Sequence, residues 1–189
     1  ELFKMRSKRA AMEMSVGTIV TIVLLMSVLV LGIFLIRNIF QSSKGAIDLT
    51  DQQLQAEIEK LFSDDSTKIT LYPTSAKIKI KVGDTDAIGL GIKNIATSFN
   101  EGEVFSYEAS VLDNTCGLTD TQANALISLG KEREDIQIPI SGSRSMKITF
   151  QIPEGVPNCL ISYTVEVKRG SLSTGTAYDG GDFIVEIKA

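Results

Sequence analysis

The longest apolar stretch of the chain lies near its beginning. From Met14 to Ile36 no residue is charged, and most positions carry large apolar side chains, with only Gly, Ser and Thr between them. A helix of about 23 residues is roughly 34 Å long, which suits a bilayer crossed with modest tilt. The pattern therefore predicts an apolar helix that begins at Met14. The run is too long for a cleaved secretory signal.

The apolar pattern changes after Ile36 without an obvious end. Five apolar residues continue it at helical spacing: Phe40, Ile47, Leu54, Ile58 and Leu61. Such spacing is typical of an amphipathic helix with one apolar stripe. We therefore expect one nearly continuous helix over residues 14–62, with a kink at the "SSKG" of residues 42–45, because Gly weakens a helix interior. Its first half would touch neighbouring molecules, and its second half would pack on the chain's own outer domain.

Beyond Phe62 apolar residues recur at every second position instead of at helical spacing. Eight segments alternate or are bounded by turn residues, and we read them as strands: 68–72, 77–82, 87–95, 103–112, 135–140, 145–152, 160–168 and 182–188. Strands at this spacing, each with one solvent-exposed and one buried face, indicate an all-β sandwich. Only the stretch from Thr119 to Gly130 reads as a helix, capped by Thr119 or Asp120 and ended by Gly130.

The predicted fold class is α+β, a long hydrophobic N-terminal helix followed by a β-sandwich with one short helical insertion. Its parts are a basic flank (residues 1–13), the helix (14–62) and an outer domain (63–189). The series "IGLGIKN", "EVFSYEASV" and "SMKITFQIPEGVPNCLISYTVEV" resembles the extracellular immunoglobulin-like modules of archaeal surface proteins. The resemblance implies an immunoglobulin-like sandwich, a fold that serves many functions.

Charge distribution predicts the orientation of the helix in a membrane. Four basic residues precede the apolar run, Lys4, Arg6, Lys8 and Arg9, whereas only Arg37 and Lys44 follow it closely. By the positive-inside rule the N-terminus lies in the cytoplasm and the bulk of the chain outside. The two cysteines, Cys116 and Cys159, fall in the outer part, where an oxidising compartment favours a disulfide between them. The alternative is a pair of unrelated buried thiols.

The residues offer little for catalysis. The chain has no histidine, which removes the commonest general base and a common metal ligand. The paired carboxylates of "GDTD" (83–86) and "DGGD" (179–182) do not have the spacing of an EF-hand and are ordinary turn formers. With 19 basic against 23 acidic residues and no basic face beyond the leader, nucleic acid is not an expected partner. We expect neither an enzyme nor a cofactor nor a metal site.

The start of the chain resembles the type IV pilin superfamily, especially its archaeal pilin and archaellin branch. The resemblance is carried by the basic "RSKR", the small pair Ala10 and Ala11, Glu13, and the unbroken apolar run from Met14. It implies a filament subunit whose helices bundle in the core while the sandwich is exposed, for surface attachment or motility. It also implies membrane insertion before assembly, homo-oligomer contacts, and cleavage before Ala11 by a prepilin peptidase.

The resemblance also implies which residues contact neighbouring copies. The predicted assembly residues are Glu13, Val16, Val20, Val23, Leu24, Val28, Leu31, Leu35 and Phe40. A buried Glu13 would need the freed amine of a neighbour, since an unpaired buried carboxylate is costly; otherwise it pairs loosely with Arg9.

Two departures from the family pattern keep an alternative open. Where the family usually has Gly before the cleaved bond the chain has Ala10, and cleavage there would make Glu13 the third residue instead of the fifth. The alternative is an uncleaved, single-pass surface protein whose immunoglobulin-like domain binds a partner.

Overall fold

The computed structural model describes residues 17–33, 46–62, 66–98 and 103–188. The chain divides into two compact units, Glu1–Ser42 and Ser43–Ala189. In the first unit residues 17–33 form helix α1, while both ends of the predicted apolar helix lie outside the described residues. None of the helices in the described ranges has the length and hydropathy needed to cross a membrane.

The second unit is built from two packed β-sheets. Its strands are β1 Ile69–Tyr72, β2 Lys77–Lys81, β3 Thr85–Lys93, β4 Val104–Asn114, β5 Ile127–Leu129, β6 Glu132–Gln137, β7 Ser143–Gln151, β8 Cys159–Arg169 and β9 Thr176–Lys188. Sheet A has the order β1-β3-β7-β5, and sheet B the order β2-β9-β8-β4-β6. Neighbouring strands are antiparallel except β2 and β9, which run parallel.

The strand order is that of an immunoglobulin-type sandwich. The strands of sheet A take the order A-B-E-D of that fold, and β9, β8 and β4 take the order G-F-C. Alternate residues of the strands meet in one core, where the ring of Phe150 lies 5.0 Å from that of Tyr163 and 5.8 Å from that of Phe183. The predicted β-sandwich is therefore confirmed.

The predicted single helix over residues 14–62 is wrong in its second half. Ala46–Asp48 form one 3-10 turn, and a new helix, α2, spans Asp51–Leu61. The break lies at Thr50, whose backbone is extended and whose hydroxyl accepts a hydrogen bond from the amide of Gln53, while the Gln53 side chain caps Thr50 in return. α2 belongs to the second unit; the "SSKG" kink lies outside the described residues.

The helix predicted from Thr119 to Gly130 is also too long. Thr119 caps a short helix, α3, but this helix covers only Asp120–Asn124. Ile127 instead pairs with Phe150 as part of strand β5, because this places its side chain in the core. β5 is a short edge strand without an alternating pattern, so its composition gave no strand signal.

Two strands begin earlier than predicted. β6 starts at Glu132 instead of residue 135, and β9 starts at Thr176 instead of residue 182, so the segments 132–134 and 176–181 are added to the sheet. Both segments are largely exposed, so no buried alternation marks them in the sequence.

Candidate functional site

Helix α1 presents large apolar side chains on all sides. Their exposed fractions range from 48% at Ile33 to 69% at Leu25. Covering such a side chain is worth about 1.5–3 kcal/mol each, so a helix of this kind strongly favours apolar surroundings. Contiguous exposed apolar surface of this extent marks a site of contact with protein or lipid.

The hydroxyl groups of Thr21 and Ser27 in α1 are hydrogen-bonded within the helix. Thr21 Oγ1 donates to the carbonyl oxygens of Gly17 (3.0 Å) and Thr18 (2.9 Å), and Ser27 Oγ donates to that of Val23 (2.7 Å). Serine and threonine that bond back to the preceding turn need no water for their hydroxyl protons. These positions therefore add little cost when the helix is surrounded by apolar groups.

Five of the predicted assembly residues lie on α1 and share one side of it. They are Val20, Val23, Leu24, Val28 and Leu31, each of them exposed. At about 100° per residue they fall within an arc of about 140°. The other predicted positions, Ala10, Ala11, Glu13, Val16, Leu35 and Phe40, lie outside the described residues.

Helix α2 is seated on sheet A through two glycines of β3. The apolar side chains of Leu54 and Ile58 are fully buried against the outer face of this sheet. A Cβ at Gly89 would lie 2.6 Å from Leu54 Cδ1, and one at Gly91 would overlap Cγ2 of Ile58. The helix approaches the strand so closely that a Cβ at Gly91 would require the helix to shift, and one at Gly89 would require the Leu54 side chain to move. The expected packing of the amphipathic segment on its own outer domain is thus observed.

Polar contacts fix α2 at the edge of β7. The side-chain oxygen of Gln55 accepts from the backbone amide of Ser145 (2.8 Å), and its Nε2 donates to Oγ of Ser143 (3.1 Å). Lys147 forms an ion pair of 3.4 Å with Asp51 at the start of the helix. Gln55 thereby satisfies a backbone donor of a strand segment that β5 does not reach.

The predicted disulfide between Cys116 and Cys159 is confirmed. It joins the chain just after β4 to the first residue of β8, and α3 follows directly. The hydroxyl of Tyr163 donates to the carbonyl oxygen of Ala123 in α3 at 2.7 Å, and burial raises the pKa of this tyrosine. The small helix is thus held to the sandwich by a covalent bond nearby and a buried hydrogen bond.

Charged side chains occupy the outer face of sheet B, a feature that our reading of the sequence missed. Glu186 lies 2.9 Å from the ammonium of Lys77 and 3.2 Å from that of Lys188. Hydrogen bonds from these two lysines lower the pKa of Glu186. The signal was present in "KIKIKV", whose alternation places all three lysines on one face of β2.

The carboxylates of the two acidic segments are not brought together. Asp86 lies in β3 and Asp179 in β9, so the expectation that they form turns is wrong. Asp86 Oδ1 accepts from the amide of Ala87, and Asp179 Oδ1 accepts from the amide of Gly180. Within the ranges that the structure describes, no three acidic or cysteine side chains converge on a point where a metal ion would be held.

No protein-family model matches the chain, and no curated protein matches its sequence. A family 123 glycoside hydrolase from Clostridium perfringens is 13% identical with a TM-score of 0.37, covering 59% of this chain and 22% of its own. The ASH/PapD-like domain 7 of human CEP192 is 15% identical with a TM-score of 0.38, covering 67% of this chain and 88% of its own. The chain thus spans about a fifth of the hydrolase, and function has to be argued from its own residues.

Proposed function

We propose that the chain is a structural subunit of an extracellular filament of the archaeal type IV pilus kind. Its apolar N-terminal helices bundle in the core, and its β-sandwich is exposed on the outside. The observation that carries the proposal is α1 itself, which is apolar on every side. The hydroxyls of Thr21 and Ser27 are hydrogen-bonded within the helix and need no water as a partner. The resemblance of "RSKRAAMEM" to the start of archaeal pilins supports it.

The physical requirement of such a subunit is a helix that is stable both in lipid and in a fibre. Lipid and fibre core are both apolar, so the hydrophobic effect does not choose between them. Close packing of many identical helices must supply the preference. The side of α1 that bears Leu24 and Leu31 offers branched side chains for such packing.

The outer unit has the features of a domain that works outside the cell. A disulfide braces the sandwich, and α2 fastens its leading segment to sheet A. Disulfides persist in oxidising compartments and stabilise small domains. These features support an exposed outer domain.

A test compares two double variants of α1 with equal loss of apolar surface. Leu24→Ala with Leu31→Ala lies on the predicted assembly side, whereas Leu25→Ala with Leu29→Ala lies roughly opposite. We expect cells with the first pair to lose filaments sheared from their surface, seen by cryo-electron microscopy, while membrane fractions keep the protein. Cells with the second pair should keep filaments. A wild-type chain that is recovered only as a detergent-soluble monomer would contradict the proposal.

The second candidate is an uncleaved, membrane-anchored surface protein whose sandwich binds a partner. It is favoured by the alanine at position 10, where the pilin pattern has glycine before the cleaved bond. N-terminal sequencing of the native protein separates the two candidates. A start at Ala11 supports the filament subunit, and retention of the basic residues before it supports the anchor.

A further inference from the structure

The outer face of sheet B carries two patches of opposite charge. The lysine patch consists of Lys77, Lys79 and Lys81 on β2 with Lys188 on β9. The glutamate row consists of Glu108 on β4, Glu132 on β6 and Glu166 on β8. Whereas α2 covers the outer face of sheet A, these side chains of sheet B are largely exposed.

The lysine patch has more positive charge than its own carboxylate can balance. The carboxylate of Glu186 lies 2.9 Å from Nζ of Lys77, 3.2 Å from Nζ of Lys188 and 4.0 Å from Nζ of Lys79. Lys81 stands directly opposite Lys188 in the strand register. Four lysines around one glutamate leave three positive charges for a partner to meet.

The glutamate row places three like charges side by side. In the strand register Glu108 stands opposite Glu132 on one side and opposite Glu166 on the other. Directly opposite residues have Cβ atoms about 5 Å apart, and like charges in such pairs are destabilising. A row of this kind costs stability in the isolated domain and is relieved by a cationic partner.

The two patches do not neutralise each other within one molecule. They lie toward opposite edges of the sheet, whose order is β2-β9-β8-β4-β6. Along β9, Gly180 is level with Glu166 and Glu186 is level with Lys79, a separation of six residues or about 20 Å. This exceeds the Debye length of about 8 Å at physiological salt, so each patch is screened from the other.

From this charge complementarity we infer that the lysine patch of one copy docks on the glutamate row of a second copy. The two surfaces are equal in charge, opposite in sign and displaced on one face, so two copies that meet face to face can each place a lysine patch on the other's glutamate row. Two apolar side chains beside the lysines, Leu160 (41% exposed) and Ile184 (37%), add surface to exclude water.

This inference rests on the proposed function. A contact made mainly by exposed ion pairs is weak on its own. Bundled helices would hold the outer domains at high effective concentration, and a weak contact then forms without new affinity. The sheet-face contact would in turn favour one arrangement of the outer domains over others.

The experiment uses the full-length chain prepared as an equal mixture of ¹⁴N-labelled and ¹⁵N-labelled protein. A carbodiimide joins an ammonium to a carboxylate in contact, and mass spectrometry of mixed-isotope peptides identifies links between copies. We expect mixed-isotope links between Lys79 or Lys81 and Glu108 or Glu132. Sheared filaments and detergent-solubilised protein at high concentration are both treated.

Charge reversal tests the same contact. Lys79→Glu with Lys81→Glu, and separately Glu108→Lys with Glu132→Lys, should each reduce the mixed-isotope links at least tenfold. Mixing the two variants should restore links in the swapped sense. Lys60→Glu on α2 is the control, because Lys60 is also exposed but lies outside both patches. Circular dichroism melting of each variant verifies that the sandwich is folded.

The outcomes separate this inference from the filament proposal. If filaments form but no links join the two patches, the inference is wrong and the filament proposal is still supported. Links without filaments support the inference and contradict the filament. If neither forms, both fail. Binding of polyglutamate that depends on Lys79 and Lys81, with no links between copies, would assign the lysine patch to another polyanion and overturn the inference.

Discussion

Replacing Gly91 by alanine tests whether α2 is seated on β3 as closely as the structure requires. The new Cβ would overlap Cγ2 of Ile58 and lie 2.9 Å from Cγ2 of Thr70. Cγ2 of a helical isoleucine is nearly fixed, because a β-branched side chain has one strongly preferred rotamer in a helix. The helix itself must therefore shift, and overpacking of this kind costs about 1–3 kcal/mol.

The expected result is a lower melting temperature of the outer unit. For a domain of about 150 residues, 1 kcal/mol corresponds to about 2–4 °C. Gly91→Ala should therefore lower the midpoint by about 4–8 °C if the cost is about 2 kcal/mol. Thermal unfolding of the full-length chain in detergent, followed by far-ultraviolet circular dichroism, measures it.

A double-mutant cycle assigns the cost to the contact between helix and strand. Ile58→Ala alone should cost about 2–5 kcal/mol, since this buried side chain leaves a cavity. In the Gly91→Ala background the added methyl group partly fills that cavity, so the double variant should be at least about 1 kcal/mol more stable than additivity predicts.

The matched control is Gly181→Ala in β9, where a Cβ would meet only the Cδ1 ends of Ile69 (3.3 Å) and Leu71 (3.5 Å). This substitution should change stability by a few tenths of a kcal/mol at most. Additive costs in the cycle, or equal losses for Gly91→Ala and Gly181→Ala, would refute close seating of α2 as the reason for the glycine.

Further substitutions examine the disulfide, a buried amide and the charged face by equilibrium unfolding. Replacing Cys116 and Cys159 by serine should cost up to about 4 kcal/mol for the 43-residue separation; no loss would show that the bridge is dispensable. Asn94→Ala removes hydrogen bonds to the carbonyl oxygen of Ile138 and from the amide of Ala96, and should lower the free energy of unfolding by about 1–3 kcal/mol. Because the pKa of Glu186 is lowered on folding, its stabilisation is present above the ordinary value of 4.5 and lost as the pH falls through the folded value; Glu186→Gln should flatten this acid limb, and an unchanged pH profile would contradict the assignment. Glu108→Gln removes like-charge opposition and should raise the melting midpoint slightly at low salt.

The parts of the fold that could be predicted are those with strict alternation. In β2 the pattern of buried Ile78 and Ile80 between lysines is unambiguous, and the same holds for the inward residues of β8. β3 could be predicted as a strand, but the packing of α2 on its outer face could not. Its residues are buried on both faces and it has glycines in the middle, a pattern that does not show which element packs on which face. Edge strand β5, only three residues long, offers too few positions for a period to show.

The break before α2 could have been predicted from the residues. Thr50 and Gln53 have the spacing of a capping box, as do Thr119 and Gln122 at the start of α3, where the prediction gave Thr119 or Asp120 as the cap. The apolar spacing of seven residues across Ile47 and Leu54 instead predicted one continuous helix. A hydrophobic period describes which residues share a side, but it does not show that the backbone between them is helical.

The charges of sheet B have two physical explanations, protection of an edge strand and docking of a second molecule. They differ in which charged residues they account for. Lysines on an edge strand such as β2 prevent unwanted pairing with other strands, so the lysine patch alone is explained by protection of the edge. The glutamate row is not, because Glu108 and Glu166 lie on β4 and β8, which have neighbours on both sides. Like charges opposite one another on interior strands reduce the stability of the single domain. The glutamate row is therefore the stronger argument for a second molecule on this face.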